Sequence, residues 1–142
     1  MLKKINLSNF NTNKVKSMNF MFNDCQSLKE LNVSSFNTLN LNYMQCMFQG
    51  CESLKEIDLS NFNTKKVFNM RYLFNQCKSP KKVNISNFNI GKLKDSACMF
   101  FDCSSLEEIY VHNDQVNIDP FFKGTYEMRT KIKRLNYGNY NK

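Results

Sequence analysis

The chain of 142 residues carries 20 Lys and Arg against 12 Asp and Glu, a formal net charge of +8, and 42% of it is hydrophobic. That apolar content, held largely in thirteen Phe with Met, Leu and Ile, excludes a compositionally disordered chain, and the length suits one domain with a continuous core. No stretch reaches the roughly 18–20 uninterrupted apolar residues of a membrane span, and Met1 leads almost directly into repeated sequence without a charged and then greasy leader.

In chain order the sequence falls into rows of 26 residues: 2–27, 28–53, 54–79 and 80–105, then a degenerate fifth row opening "LEEIYVHND" and a C-terminal cap, together 106–142, all in one solenoid domain. The fourth position of each row is Ile5, Leu31, Ile57, Val83 and Ile109, and the sixth is Leu7, Val33, Leu59, Ile85 and Val111. The ninth is Phe10, Phe36, Phe62 and Phe88; the twenty-first is Phe22, Phe48, Phe74 and Phe100; the twenty-fourth is Cys25, Cys51, Cys77 and Cys103. One unit of this size cannot bury its apolar side alone, so the rows must stack.

Within a row the periodicity changes. "LKEIDLS" alternates apolar and polar residues, the pattern of a half-buried strand. After the turn "SNFN", Thr64 reads as an N-cap, and Val67, Met70, Leu73 and Phe74 fall on one helical stripe. Each row is therefore expected to give a strand, a turn, a helix of about ten residues and a return loop. The fold class that follows is an α/β solenoid, a right-handed superhelix with one parallel β-sheet and a short helix per repeat. Asp119 and Pro120 start a turn or short helix, and Met128, Ile132 and Leu135 mark an amphipathic helix that closes the last row. Leu2 already belongs to the first full row, so the first strand edge is bare. The chain is then a piece of a longer array, or a monomer that tolerates the open edge, or a dimer through it.

The columns, carried by "LKELNVSSFNT" and "NYMQCMFQGCESL" and their sister rows over residues 2 to about 112, resemble a leucine-rich repeat. In particular they resemble the 26-residue bacterial surface-protein repeat of BspA-like proteins and mycoplasma-type lipoproteins. Ordinary leucine-rich repeats hold an Asn ladder where this sequence holds its ninth-column Phe. The expected compensation is a Phe spine inside, with Asn11, Asn37, Asn63 and Asn89 satisfying the turn backbone. The resemblance implies a cell-surface or secreted solenoid used in adhesion and protein recognition.

Six Cys and one His invite a metal or redox reading, but zinc ligands come in pairs two to four residues apart, whereas four of these Cys recur once per row. They are expected to be small buried hydrophobes with free thiols, and Cys46 and Cys98 of the nineteenth column to fill space likewise. His112, aligned with Ser8, Ser34, Ser60 and Ser86, reads as a polar surface residue. Glu107 and Glu108 point to opposite faces of a strand, and the four Gly form no phosphate loop. No cofactor, metal or enzymatic activity is expected.

With columns four and six inward, columns three, five and seven face out. They supply the candidate partner-binding face: Lys4, Asn6, Ser8, Glu30, Asn32, Ser34, Glu56, Asp58, Ser60, Lys82, Asn84, Ser86, Glu108, Tyr110 and His112. Two Lys against three Glu and one Asp leave this face at minus two. The tail from Lys123 onward carries six basic residues against Glu127. The leading expectation is a protein partner on the strand face. The alternative is an acidic partner, such as nucleic acid or an anionic surface, on the basic tail; a nucleic-acid groove on the strand face is not expected, since that face lacks interleaved basic and aromatic residues.

Overall fold

The computed structural model describes residues 3–112, 114 and 117–135, and they form a β-solenoid of about five turns. Alternation of inward apolar and outward polar residues produces the strands β1 (Lys4–Ile5), β2 (Glu30–Leu31), β3 (Glu56–Asp58), β4 (Lys82–Asn84) and β5 (Glu108–His112), with β6 (Ile132–Leu135) last. All pairs are parallel and keep the columns in register: Lys4 meets Glu30, Ile57 meets Val83, and Val83 meets Ile109. The strands form a two-stranded sheet, β1-β2, and a four-stranded sheet, β3-β4-β5-β6, rather than one. At the junction the Lys55 N–H donates to the Lys29 carbonyl at 3.3 Å without building a continuous ladder.

The expected helix in each repeat is absent from the described residues, and Thr64 caps none. In its place every rung runs through consecutive tight turns. The Met21 N–H returns to the Met18 carbonyl and the Cys25 N–H to Phe22, each closing a four-residue turn. Alternate N–H groups instead cross to the next rung: Met44 to Asn69, Cys46 to Arg71, Phe48 to Leu73 and Gly50 to Asn75, at 2.8–3.1 Å. The backbone is thus satisfied without any bond to the residue four back, which is why nothing drives it into an α-helix. The third turn residue lies at positive φ, as a type II turn requires: Phe20, Cys46, Tyr72 and Cys98 in one column, Asp24, Gly50, Gln76 and Asp102 in another.

Between the strand half and the turn half lies one apolar core. Phe22, Phe48, Phe74 and Phe100 stack in sequence at centroid separations of 5.6, 5.8 and 5.3 Å. The ninth-column Phe36, Phe62 and Phe88 are buried behind the strands, with Phe36 and Phe62 stacked at 6.5 Å. Thr12, Thr38 and Thr64 are buried beside them and clip rung to rung; the Thr64 hydroxyl accepts the Asn89 N–H at 2.6 Å and donates to the Asn89 carbonyl. Asn11, Asn37, Asn63 and Asn89 each accept the N–H of the residue two ahead, the turn role read from the sequence.

The C-terminal segment closes the array without the expected amphipathic helix. Short 3₁₀ turns at Asp119–Phe122 and Tyr126–Lys131 lead into β6, so Met128 and Ile132 fall on different elements. Phe122 extends the Phe stack at 5.6 Å from Phe100, and Phe121 meets Phe88 edge to face. The expected role in covering the last rung is therefore filled by two rings and a strand.

Candidate functional site

The fifteen residues expected on the strand face separate into three groups. In the third column the charges pair along the sheet: Lys4 Nζ lies 2.9 Å from Glu30, and Lys82 Nζ lies 3.2 Å from Glu108, while Glu56 sits opposite Lys82 in the register. The Lys4 ammonium holds the Glu30 carboxyl below its ordinary range. Glu108 is lowered first by the Tyr110 hydroxyl, which donates to it at 2.5 Å, and then by Lys82; the same bond raises the Tyr110 pKa. The acidic character of this face is thus partly neutralised in place.

In the fifth column the side chains of Asn6, Asn32, Asp58 and Asn84 turn back on their own backbone, accepting the N–H of Ser8, Ser34, Ser60 and Ser86 at 2.9–3.1 Å. Their residue type is set by the turn that ends each strand. The seventh column divides: Ser8 and Ser34 are exposed and Ser60 half-buried, but Ser86 and His112 are buried. His112 is therefore not the surface residue expected. Its Nδ1 accepts the Asp114 N–H at 3.1 Å, and Leu135 of β6 stands opposite it in the sheet.

Beside the strand face, at the corner where each strand turns, an open groove of about 770 Å³ crosses the rungs. Two amide columns line it, and Ser86, His112 and Asp114 stand at one end. In the eighth column, Asn61 Nδ2 reaches back to the carbonyls of Val33, Ser34 and Phe36, and Asn87 Nδ2 to that of Ser60. In the tenth column, Asn37, Asn63 and Asn89 use Oδ1 in their turns. Sequence reasoning missed this surface because "SNFN" reads as a turn and nothing more; the recurrence of Asn61 and Asn87 one rung apart was the available signal.

Three of the six thiols are bonded into the fold. The S–H of Cys51, Cys77 and Cys103 donates to the carbonyls of Phe22, Phe48 and Phe74 at 3.0–3.1 Å. Burial pushes Cys51 and Cys103 up to about 12 and Cys77 well above the ordinary thiol value. A thiol this reluctant to ionise is a poor nucleophile and a poor metal ligand at neutral pH. All six Cys are free; Cys46, Cys51, Cys77 and Cys103 are buried, whereas Cys25 and Cys98 are only half-buried, and no group of three potential metal-ligating side chains occurs among the described residues. No helix among them is long and apolar enough to cross a membrane.

Residues 2–114 match the family described as "Mycoplasma protein of unknown function, DUF285", and the chain belongs to that family. No curated protein and no solved structure matches it.

Proposed function

We propose that this member of the Mycoplasma family is a non-enzymatic binding module, recognising a macromolecular partner across consecutive rungs through the corner groove and the strand face beside it. The observation that carries this reading is the groove itself: an open concavity of about 770 Å³ whose lining repeats with the rungs. A repeating lining presents the same groups at each rung and so suits an extended partner. The kinship with BspA-like leucine-rich repeats and a right-handed winding belong to the same reading, and supply its setting: a cell-surface or secreted protein used in adhesion.

The test is binding of the immobilised protein to purified fibronectin, laminin and mucin. Two variants are compared with the parent: Glu30→Gln/Glu56→Gln/Asp58→Asn on the strand face, which keeps the Asp58 turn acceptor, and Asn37→Asp/Asn63→Asp/Asn89→Asp in the groove. A ligand lost in either variant supports the reading. A panel bound equally by all three proteins, or by none, counts against it.

A second reading, an acidic partner held by the tail, is favoured by Lys133 and Arg134, consecutive on β6 and both exposed. Removing residues 123–142 would strip β6 from the sheet, so Lys131→Gln/Lys133→Gln/Arg134→Gln is the cleaner probe. Salt-sensitive heparin binding abolished by it would support this reading.

A further inference from the structure

We infer that the corner groove takes a neutral glycan chain laid along the solenoid axis, a ligand class that rests on the binding reading above and narrows it. The argument begins with which amide atoms the fold leaves unused. Asn37, Asn63 and Asn89 spend Oδ1 on their own turns, and among the described residues nothing accepts from their Nδ2 groups. Asn61 and Asn87 spend Nδ2 on the preceding rung, and among the described residues nothing donates to their Oδ1. The groove is therefore flanked by three donors, Asn37, Asn63 and Asn89, and by two acceptors, Asn61 and Asn87, each acceptor two residues before a donor in sequence.

Between the two columns the buried rings of Phe36, Phe62 and Phe88 lie beneath the floor, and Leu39, 55% exposed, stands on the rim. Donors and acceptors set beside one another match a sugar ring, whose vicinal hydroxyls donate and accept at once. An extended peptide fits the spacing less well. Its same-side groups recur every ~6.6–6.8 Å, whereas neighbouring strands of a sheet lie ~4.8 Å apart, so a peptide along the axis loses register by about 2 Å per rung. Hydroxyls distributed around each sugar ring tolerate that offset.

Charge selects among glycans. The groove holds Lys65 and Asp114, opposite in sign, and otherwise amides, hydroxyls, apolar groups and His112. A polyanion gains one cation and meets one anion there, so a neutral chain is favoured over a sulfated one.

The experiment is titration calorimetry of the whole protein with the neutral hexasaccharides of cellulose, chitin, amylose and mannan, with a heparin hexasaccharide and a proline-free dodecapeptide as controls. The critical variant is Asn37→Asp/Asn63→Asp/Asn89→Asp. It keeps the Oδ1 acceptor of each turn, deletes the outward donors and adds three carboxylate charges, so its effect is read on the neutral glycans, and an unchanged melting temperature confirms that it folds. A neutral hexasaccharide that binds independently of salt and weakens about tenfold or more in the variant, as loss of several hydrogen bonds requires, supports the inference. No binding of any neutral glycan overturns it, as does equal binding by the variant. A peptide or heparin ligand that the variant abolishes also overturns the glycan class, while the groove as a binding surface survives; the broader reading fails only by the panel described for it.

Discussion

Cys77 offers a direct measurement of how the thiol column is held. It is 1% exposed, its S–H donates to the Phe48 carbonyl at 3.0 Å, and burial first, then Cys103 and Cys51, raise its pKa well above the ordinary 9.0. A folded pKa above the unfolded one means that both states keep the proton at neutral pH, so the contribution to stability is complete there. Above pH 9.0 the unfolded chain sheds the proton and the folded chain does not. Stability then falls by about 1.4 kcal/mol per pH unit for each such thiol, until the folded pKa is passed. At pH ~10 the loss from Cys77 alone is about 1.4 kcal/mol. The assay is urea unfolding of the parent and Cys77→Ala under reductant at neutral and alkaline pH. Cys77→Ala is the less stable at pH ~7, through the lost bond and a small void. Its deficit shrinks by about 1.4 kcal/mol by pH ~10, because the Tyr and Lys titrations common to both proteins cancel in the difference. A deficit that stays constant across that range refutes the buried, protonated thiol.

Phe74 stacks on two rings, at 5.8 and 5.3 Å, and Phe22 on one, at 5.6 Å. Phe74→Leu should therefore cost about 1 kcal/mol more than Phe22→Leu in chemical denaturation, one further aromatic pair. At the turn corners, exposed Gln76 has φ 58, so Gln76→Gly should raise stability by roughly 0.5 kcal/mol as relief of the left-handed backbone exceeds the added unfolded-state entropy. Gly50→Ala should lower it by about 1–2 kcal/mol, since at φ +70 its Cβ would lie 2.2 Å from Asp24 Oδ1; thermal melts read both signs. Thr64→Val removes both hydrogen bonds to Asn89 and should cost about 1–3 kcal/mol in the same measurement, with little change in near-ultraviolet circular dichroism.

The register of the solenoid was legible because a parallel stack repeats its environment rung by rung, so Ile57, Val83 and Ile109 answer to the same neighbours and keep the same character. The helix was misread for a related reason. Turns closed by bonds to the residue three back bring Met70 and Leu73 to one side, much as a helical stripe does. What separates the two cases is the left-handed position, and the twenty-third column carried its mark in Asp24, Gly50 and Asp102, residue types that tolerate positive φ. The outward face was legible in its charged column and misleading in its Asn column. A side chain bound to its own backbone and one offered to a partner have the same residue type, and only coordinates distinguish them. His112 went astray because Asp114 turns its N–H onto the ring and β6 pairs beside it outside the 26-residue spacing, contacts that no column records.

The two ends of the array show how far each rung depends on its neighbour. Ile109 of β5 pairs with Ile132, a turn of 23 residues instead of 26, and within that shortened turn Phe121 and Phe122 reach the ninth-column and twenty-first-column rings of the fourth rung. The last rung is thus covered by residues that imitate the columns without following their spacing. On the opposite side Phe10 is 54% exposed where Phe62 is fully buried, and Met21 is 37% exposed where Met47 and Leu73 are sealed. At these two columns burial depends on the neighbouring rung, whereas Leu7, Met18 and Phe22 of the first rung are buried with a neighbour on one side alone. Stability must then be gained rung by rung, least where a rung is covered on one side and most at the centre. The groove lies over the rungs of β2 to β5, where most of its lining residues have neighbours on both sides, and there the amide columns are held most firmly in the spacing a ligand would meet.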